Sequence, residues 1–191
     1  LAGILVGCGD SSSSSTTSPT KGVLIDDIVT GVKYVNGSNT GFTDANGEFA
    51  YSSGVVEFFV GNILVGSIDS LPADNKVFIQ DIAGVERTDT ANSEVIRIAS
   101  FLQSLDSDPT TDIIEIDRND FDQFNGVSDS IQDVAMFAEM MQTRGFEVPK
   151  GSQVQAHLDN VLKSHGEIVD SDAPTFVSSS VTNNAINIAL D

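Results

Sequence analysis

The chain has no tryptophan, two tyrosines, one cysteine and two histidines, and each scarcity narrows what it can do. One cysteine cannot close a disulfide within the chain, so packing has to hold the fold together. Ligand clefts, those for sugars above all, draw on aromatic platforms, and a chain without tryptophan offers few. His157 and His165 stand eight positions apart on a predicted helix, too far to share one metal centre without other ligands. Basic residues are scarce as well: 9 stand against 28 acids, for a net charge of −19. Residues 1–80 hold 8 acids and 3 bases, residues 81–191 hold 20 acids and 6 bases. So acidic a surface repels phosphate backbones, which excludes nucleic acid as a partner. Behind Cys8 no stretch approaches the roughly 20 apolar residues of a membrane span. There is no Gly-x-Ser-x-Gly elbow, Walker loop, Gly-x-Gly-x-x-Gly or His-Glu-x-x-His, so the motifs point away from an enzyme.

What is present begins with a hydrophobic content of 40% and eleven phenylalanines, enough to pack a core. At the N-terminus an apolar stretch ends in Leu5-Val6-Gly7-Cys8, and Gly9-Asp10, five serines and Thr16-Thr17-Ser18-Pro19 follow. This pattern resembles the lipobox of bacterial lipoproteins. The resemblance implies that residues 1–7 are a signal-peptide remnant and that Cys8 is the lipid attachment site. It also implies that residues 8–20 form a tether and that the protein sits in the bacterial cell envelope, periplasm-facing or extracellular.

Residues 21–80 read as short strands separated by turns. Gly22–Ile25, Ile28-Val29, Val32–Val35, Glu48–Tyr51, Val55–Val60 and Ile63–Gly66 are β-branched or alternating runs. Between them Asn36-Gly37-Ser38-Asn39, Asp44-Ala45-Asn46-Gly47 and Gly61-Asn62 supply residues that tolerate positive φ. Strands with no helix between them predict an antiparallel sheet or a small sandwich. The run Thr40-Gly41-Phe42-Thr43-Asp44-Ala45-Asn46-Gly47-Glu48-Phe49-x-Tyr51, preceded by Gly31-Val32-x-Tyr34, resembles the carboxypeptidase-regulatory-like (transthyretin-like) β-sandwich. That resemblance implies a non-catalytic spacer or binding module. Asp44, Asn46 and Gly47 read as a plain turn rather than as ligands.

After a bridging stretch from Leu71 to Gly84, the apolar period becomes helical in residues 81–169. Asn92 caps a predicted helix carrying Val95, Ile98, Ala99, Leu102 and Leu105. Ser128 caps a second, with Ile131, Val134, Ala135, Ala138 and Met141 on one stripe and Gly145 past its end. A third follows Gly151-Ser152, with Val154, Leu158, Val161 and Leu162, and stops near Gly166. Phe101, Phe137 and Met140 read as core, and Asp159 and Glu167 as surface charges.

Between the first two helices lies an acidic loop. Counting from Asp106, oxygen-bearing residues fall at loop positions 1, 3, 5, 7 and 12: Asp106, Asp108, Thr110, Asp112 and Asp117. Ca²⁺ takes six to eight oxygens from carboxylates and carbonyls, so Asp106, Asp108, Asp112 and Asp117 are its candidate ligands. Pro109 and Thr111 stand where an EF-hand needs a ligand-compatible backbone and a glycine. The alternatives are a looser Ca²⁺ loop and a solvated helix-to-strand connection. Leu105-Asp106-x-Asp108 resembles a loop that recurs in bacterial surface lipoproteins.

In residues 170–191 a linker, Asp170-Ser171-Asp172-Ala173-Pro174, precedes two strand-like runs around Asn183-Asn184. Asp-x-Asp-Ala-Pro-x-Phe resembles the opening of cadherin-like and Ig-like adhesin repeats, which implies an interdomain Ca²⁺ joint at Asp170 and Asp172.

The whole reads as an α+β chain: a small antiparallel β-sandwich-like module, a three-helix segment and a C-terminal β-hairpin. The expected function is non-catalytic binding, adhesion or spacing at the cell surface, through a lipid anchor and towards a protein or glycan ligand, with Ca²⁺ as a stiffening ion. One alternative is a cell-envelope enzyme or carbohydrate-binding accessory that uses the acidic loop, and another is an assembly partner that binds through its helices. A buried carboxylate cluster in a cleft is the feature that would mark the enzyme.

Overall fold

A computed structural model describes residues 19–127, 131–132 and 134–167. The expected lipid site Cys8, the cap Ser128, the Asp170–Asp172 joint and the C-terminal hairpin lie outside them. The described residues form nine strands and five helices in two antiparallel-rich sheets, an α+β arrangement.

One of the two sheets is wholly antiparallel, in the order β4-β3-β6-β7, from β3 (Lys33–Asn36), β4 (Asn39–Phe42), β6 (Val56–Val60) and β7 (Ile63–Ile68). Two-residue turns set its register. Asn36 pairs with Asn39 across a turn whose Gly37 has φ +59°. Val60 pairs with Ile63 across Gly61 at φ +57°. Both glycines occupy the left-handed region that side chains resist. The alternation along β6 puts Val56, Phe58 and Val60 inside and leaves Glu57 and Phe59 half-exposed. Asn36 is buried but satisfied: its amide donates to the Ser53 and Val55 carbonyls and accepts from Ser52 N–H. The Asp44 turn is as expected, with Asp44 Oδ1 accepting from Asn46 and Glu48 N–H.

The other sheet corrects the antiparallel expectation. β1 (Thr20–Ile25) pairs antiparallel with β5 (Glu48–Tyr51) and with β2 (Ile28–Thr30). It also pairs parallel with β8 (Lys76–Phe78), and β2 pairs parallel with β9 (Ile113–Glu115). β8 lies in the stretch read as a bridge, and β9 lies inside the acidic loop. The bridge also contains α1 (Ile79–Ala83), which ends at Gly84 with φ +70°.

α2 (Ser93–Ser104) starts where expected, with the Asn92 side chain accepting from Glu94 N–H, and it buries Val95, Ile98, Ala99, Phe101 and Leu102. The short α3 (Arg118–Asp122) is capped by Asp117. α4 (Val134–Thr143) buries Met141 of the predicted stripe together with Phe137 and Met140, which were expected in the core, and Ile131 before it is buried too, whereas Ala138 is exposed. The larger side chains win the core face because burying them removes more apolar area from water. α5 (Gly151–Ser164) buries the four residues expected of it, Val154, Leu158, Val161 and Leu162.

One apolar cluster takes residues from both sheets and from α1, α2, α4 and α5. Phe49 of β5 meets Phe58 of β6 edge-to-face at 5.2 Å, which joins the two sheets. Phe124 links Phe101 of α2 to Phe146 beyond α4, while its carbonyl accepts Asn62 N–H from the β6–β7 turn. No helix of the described residues is long and apolar enough to cross a membrane.

Candidate functional site

The site grows from a two-residue turn. Ile25 and Ile28 pair across Asp26-Asp27, and Asp27 takes the left-handed conformation at φ 58°. Aspartate accepts this conformation better than most side chains, although at some cost in strain. Asp26 is fully buried, and its carboxylate accepts from Gln103 Nε2 of α2 at 3.1 Å.

The third wall is α5. Val161 and Leu162 pack on Ile25 and Phe78 in a small apolar cluster. One helical turn earlier, on the same face as Val161, His157 reaches the turn. Its Nε2 lies 3.3 Å from Asp26 Oδ1 and 3.3 Å from Asp27 Oδ2. Nε2 is buried and points squarely at neither oxygen, so it sits between the carboxylates as an ion-pair partner rather than in one directed hydrogen bond. Contact with Asp26 raises the imidazole above the ordinary histidine range, against a smaller opposing effect of burial. Burial pushes the Asp27 carboxyl up, the Asp26, Asp112 and Asp106 charges add to that, and His157 opposes it.

Asp27, Gln103 and His157 open onto a cleft of about 680 Å³ that Asp106, Asp112, Glu147, Lys150 and Gln153 also line. Pro109, Ile114, Val148 and Pro149 complete its lining. Four carboxylates thus face Lys150 and His157, and the cleft favours cationic groups.

The residues of the acidic loop divide between different surroundings. Asp106 and Asp112 line the cleft, Asp117 lines a separate cavity of about 500 Å³ beside Arg118, and Asp108 lines neither. Asp106 Oδ1 accepts from Asp108 and Glu115 N–H, which closes the loop back on β9. Asp108 Oδ1 accepts from the backbone and hydroxyl of Thr110, which hold its carboxyl below the usual range. Asp117 Oδ1 accepts Asp120 N–H at 2.8 Å as the α3 cap. Among the described residues no group of three His, Cys, Asp or Glu side chains is arranged to hold a metal ion.

Asp26, Asp27, Gln103 and His157 were not singled out from sequence as a site. The available signal was the pair of acids interrupting the apolar run Leu24-Ile25-Asp26-Asp27-Ile28-Val29. His165 belongs elsewhere: it packs edge-to-face on Phe78 at 5.4 Å, and burial lowers it below the ordinary histidine range. Asp159 accepts the Thr90 hydroxyl at 2.7 Å, and Glu167 pairs with Arg87, so both acids tie helices to loops. Comparison with family models, curated proteins and solved structures finds no match for this chain.

Proposed function

We propose that the chain is a lipid-anchored protein of the bacterial cell envelope that presents a non-catalytic binding module. Cys8 carries the lipid, residues 8–20 are the leash, and the two sheets form a sandwich-like body with the helices on it. The cleft beside the β1–β2 turn binds cationic ligands, Ca²⁺ or the amino groups of a surface protein. The observation that carries this reading is the lining of the cleft, where Asp27, Asp106, Asp112 and Glu147 outweigh Lys150 and His157. Asp106 and Asp112 of the acidic loop would meet a cation there, and the Asp170–Asp172 joint would be a second Ca²⁺ site.

Two measurements test it. Labelled palmitate supplied to bacteria that export the protein enters the chain, and Cys8→Ser abolishes incorporation. Calorimetric titration of the Cys8→Ser chain shows Ca²⁺ binding in the micromolar to millimolar range. Asp112→Asn weakens it if the cleft holds the ion, and Asp172→Ala if the joint does. Absence of heat with both Ca²⁺ and a lysine-rich peptide would sink the binding reading.

One observation favours the envelope-enzyme reading. A carboxylate without solvent exposure, Asp26, stands behind a histidine that lines the cleft, an arrangement that orients a general acid or base. It ranks second because Nε2 is buried between the two carboxylates. Turnover of nitrophenyl esters or glycosides that His157→Gln abolishes would reverse the order.

A further inference from the structure

We propose that His157 is a proton-dependent latch that holds α5 on the β1–β2 turn, closed when the imidazole is charged and loosened when it is neutral. The latch rests on the contact of His157 with Asp26 and Asp27 and is read without Ca²⁺, since a cation on Asp106 and Asp112 would oppose the charge on the imidazole. Asp26 has no solvent exposure and accepts from the Gln103 side chain, so water cannot screen its charge. Asp27 is anchored beside it by the geometry of the turn. A charged imidazole 3.3 Å from each carboxylate balances the pair, whereas a neutral one leaves two adjacent anions facing each other.

The other groups around His157 reinforce this. From the acidic loop, Asp106 and Asp112 add negative charge, and so does Glu147 in the segment before α5. Lys150, at the α5 N-cap, is the one other cation among the described cleft residues. Val161 and Leu162 pack on Ile25 and Phe78, and Val154 and Leu158 join the main core, so α5 stays docked when the ion pair is lost and the latch governs its contact with the β1–β2 turn.

The direction of the pH effect follows. His157 is raised above its ordinary value of 6.5, so its stabilisation is complete below about pH 6.5 and is lost as pH rises through the folded-state value. His165 is lowered, so its contribution has the opposite sign and is lost as pH falls below about 6.5. The chain has two histidines, so one variant assigns both resonances.

The test is an NMR titration of both imidazoles in the full chain, with thermal melting between about pH 6 and pH 8.5. His165→Gln assigns the signals. His157 is expected to titrate above 6.5, and Asp26→Asn to bring it back towards 6.5. The melting temperature is expected to fall across this range by several degrees, and His157→Gln to remove most of that fall. Amide protection at Val161 and Leu162, corrected for the intrinsic exchange rate, is expected to fall with it relative to Phe58. His157 titrating at or below 6.5 in the wild-type chain overturns the latch, a reading that needs no variant to fold. So does a melting slope that His157→Gln leaves unchanged.

Discussion

The two sheets were assembled in different ways. In β4-β3-β6-β7 both hairpins close through two residues, at Gly37-Ser38 and Gly61-Asn62, and every pairing is antiparallel. In the other sheet β1 takes β8 from about fifty residues downstream and β2 takes β9 from about eighty-five, both in parallel. A parallel partner cannot be reached by a tight turn, so the intervening chain has to go somewhere. Between β1 and β8 it forms β2, β5 and the locally closed sheet, and between β8 and β9 it forms α1, α2 and the acidic loop; Gln103 of α2, the acidic loop and α5 line the polar cleft described above. Both sheets contribute core, and the sheet closed over long range also contributes the site.

The largest loss should come where the two sheets meet. Phe58 is fully buried and edge-to-face with Phe49, at the junction of the two sheets. Phe58→Ala should cost about 3–5 kcal/mol, read from the midpoint of a urea transition. A loss under about 1 kcal/mol would mean that the sheets do not share a core. Gly31→Ala probes the other sheet. Gly31 has φ +78°, and a Cβ there would overlap the Ile116 carbonyl oxygen just beyond β9. The left-handed penalty and the clash together should cost about 2–3 kcal/mol. Gly54→Ala is the control: φ is +71° but nothing lies within 4 Å, so only the conformational part, about 1 kcal/mol, should appear. Equal losses at both positions would detach residue 31 from β9.

The same division explains what was legible in the sequence. Turn chemistry is local, so Asn36-Gly37 announced its hairpin and Asp44–Gly47 its turn, which carries the chain from β4 in one sheet to β5 in the other. Helical period and cap are local too, which is why Asn92 and the stripe of α5 were placed correctly. β8 and β9 are three residues each, and Lys76-Val77-Phe78 and Ile113-Ile114-Glu115 become strands because β1 and β2 offer them unpaired edges. No window of sequence carries that information. The site fails to announce itself for the same reason: Asp26 and His157 are 131 positions apart and meet through α5 docking on β1. Asp106–Asp117 drew attention by carboxylate spacing, yet much of that spacing is spent on turns and on a helix cap.

A smaller effect is expected at Arg87, which fastens the end of α5 to the long-range sheet. Its guanidinium pairs with Asp74, Asp81 and Glu167 and stacks on Phe78 at 4.4 Å. These carboxylates are partly exposed, so solvent screens them and the pairs are worth far less than their number suggests. Arg87→Met keeps the aliphatic packing and should cost about 1–2 kcal/mol in dilute buffer. In about 1 M salt the difference from wild type should shrink by half or more, as two parallel denaturation curves would show. A cost independent of salt would identify packing on Phe78, and not charge, as what holds the helix end.

The smallest change in stability, and the most informative about the turn, belongs to Asp27→Asn. Asparagine tolerates the left-handed conformation, so the turn should survive. Two consequences of removing the charge oppose each other. Asp27 is raised mainly by burial, so its ionisation works against the fold once pH exceeds its ordinary value of 3.8, and neutralising it should help. The same carboxylate is one of two facing His157, and losing it lowers the affinity of the imidazole for its proton. Below about pH 6.5, where His157 is charged, the lost pairing should nearly cancel the relief, leaving a net effect within about 0.5 kcal/mol. At higher pH His157 is neutral, there is no ion pair to lose, and two adjacent anions have become one. The variant should therefore gain on the wild type as pH rises, with the stability curves diverging above the folded-state value of His157. Curves that stay parallel across that range would show that Asp27 is held by the turn alone and takes no part in the contact between the long-range sheet and α5.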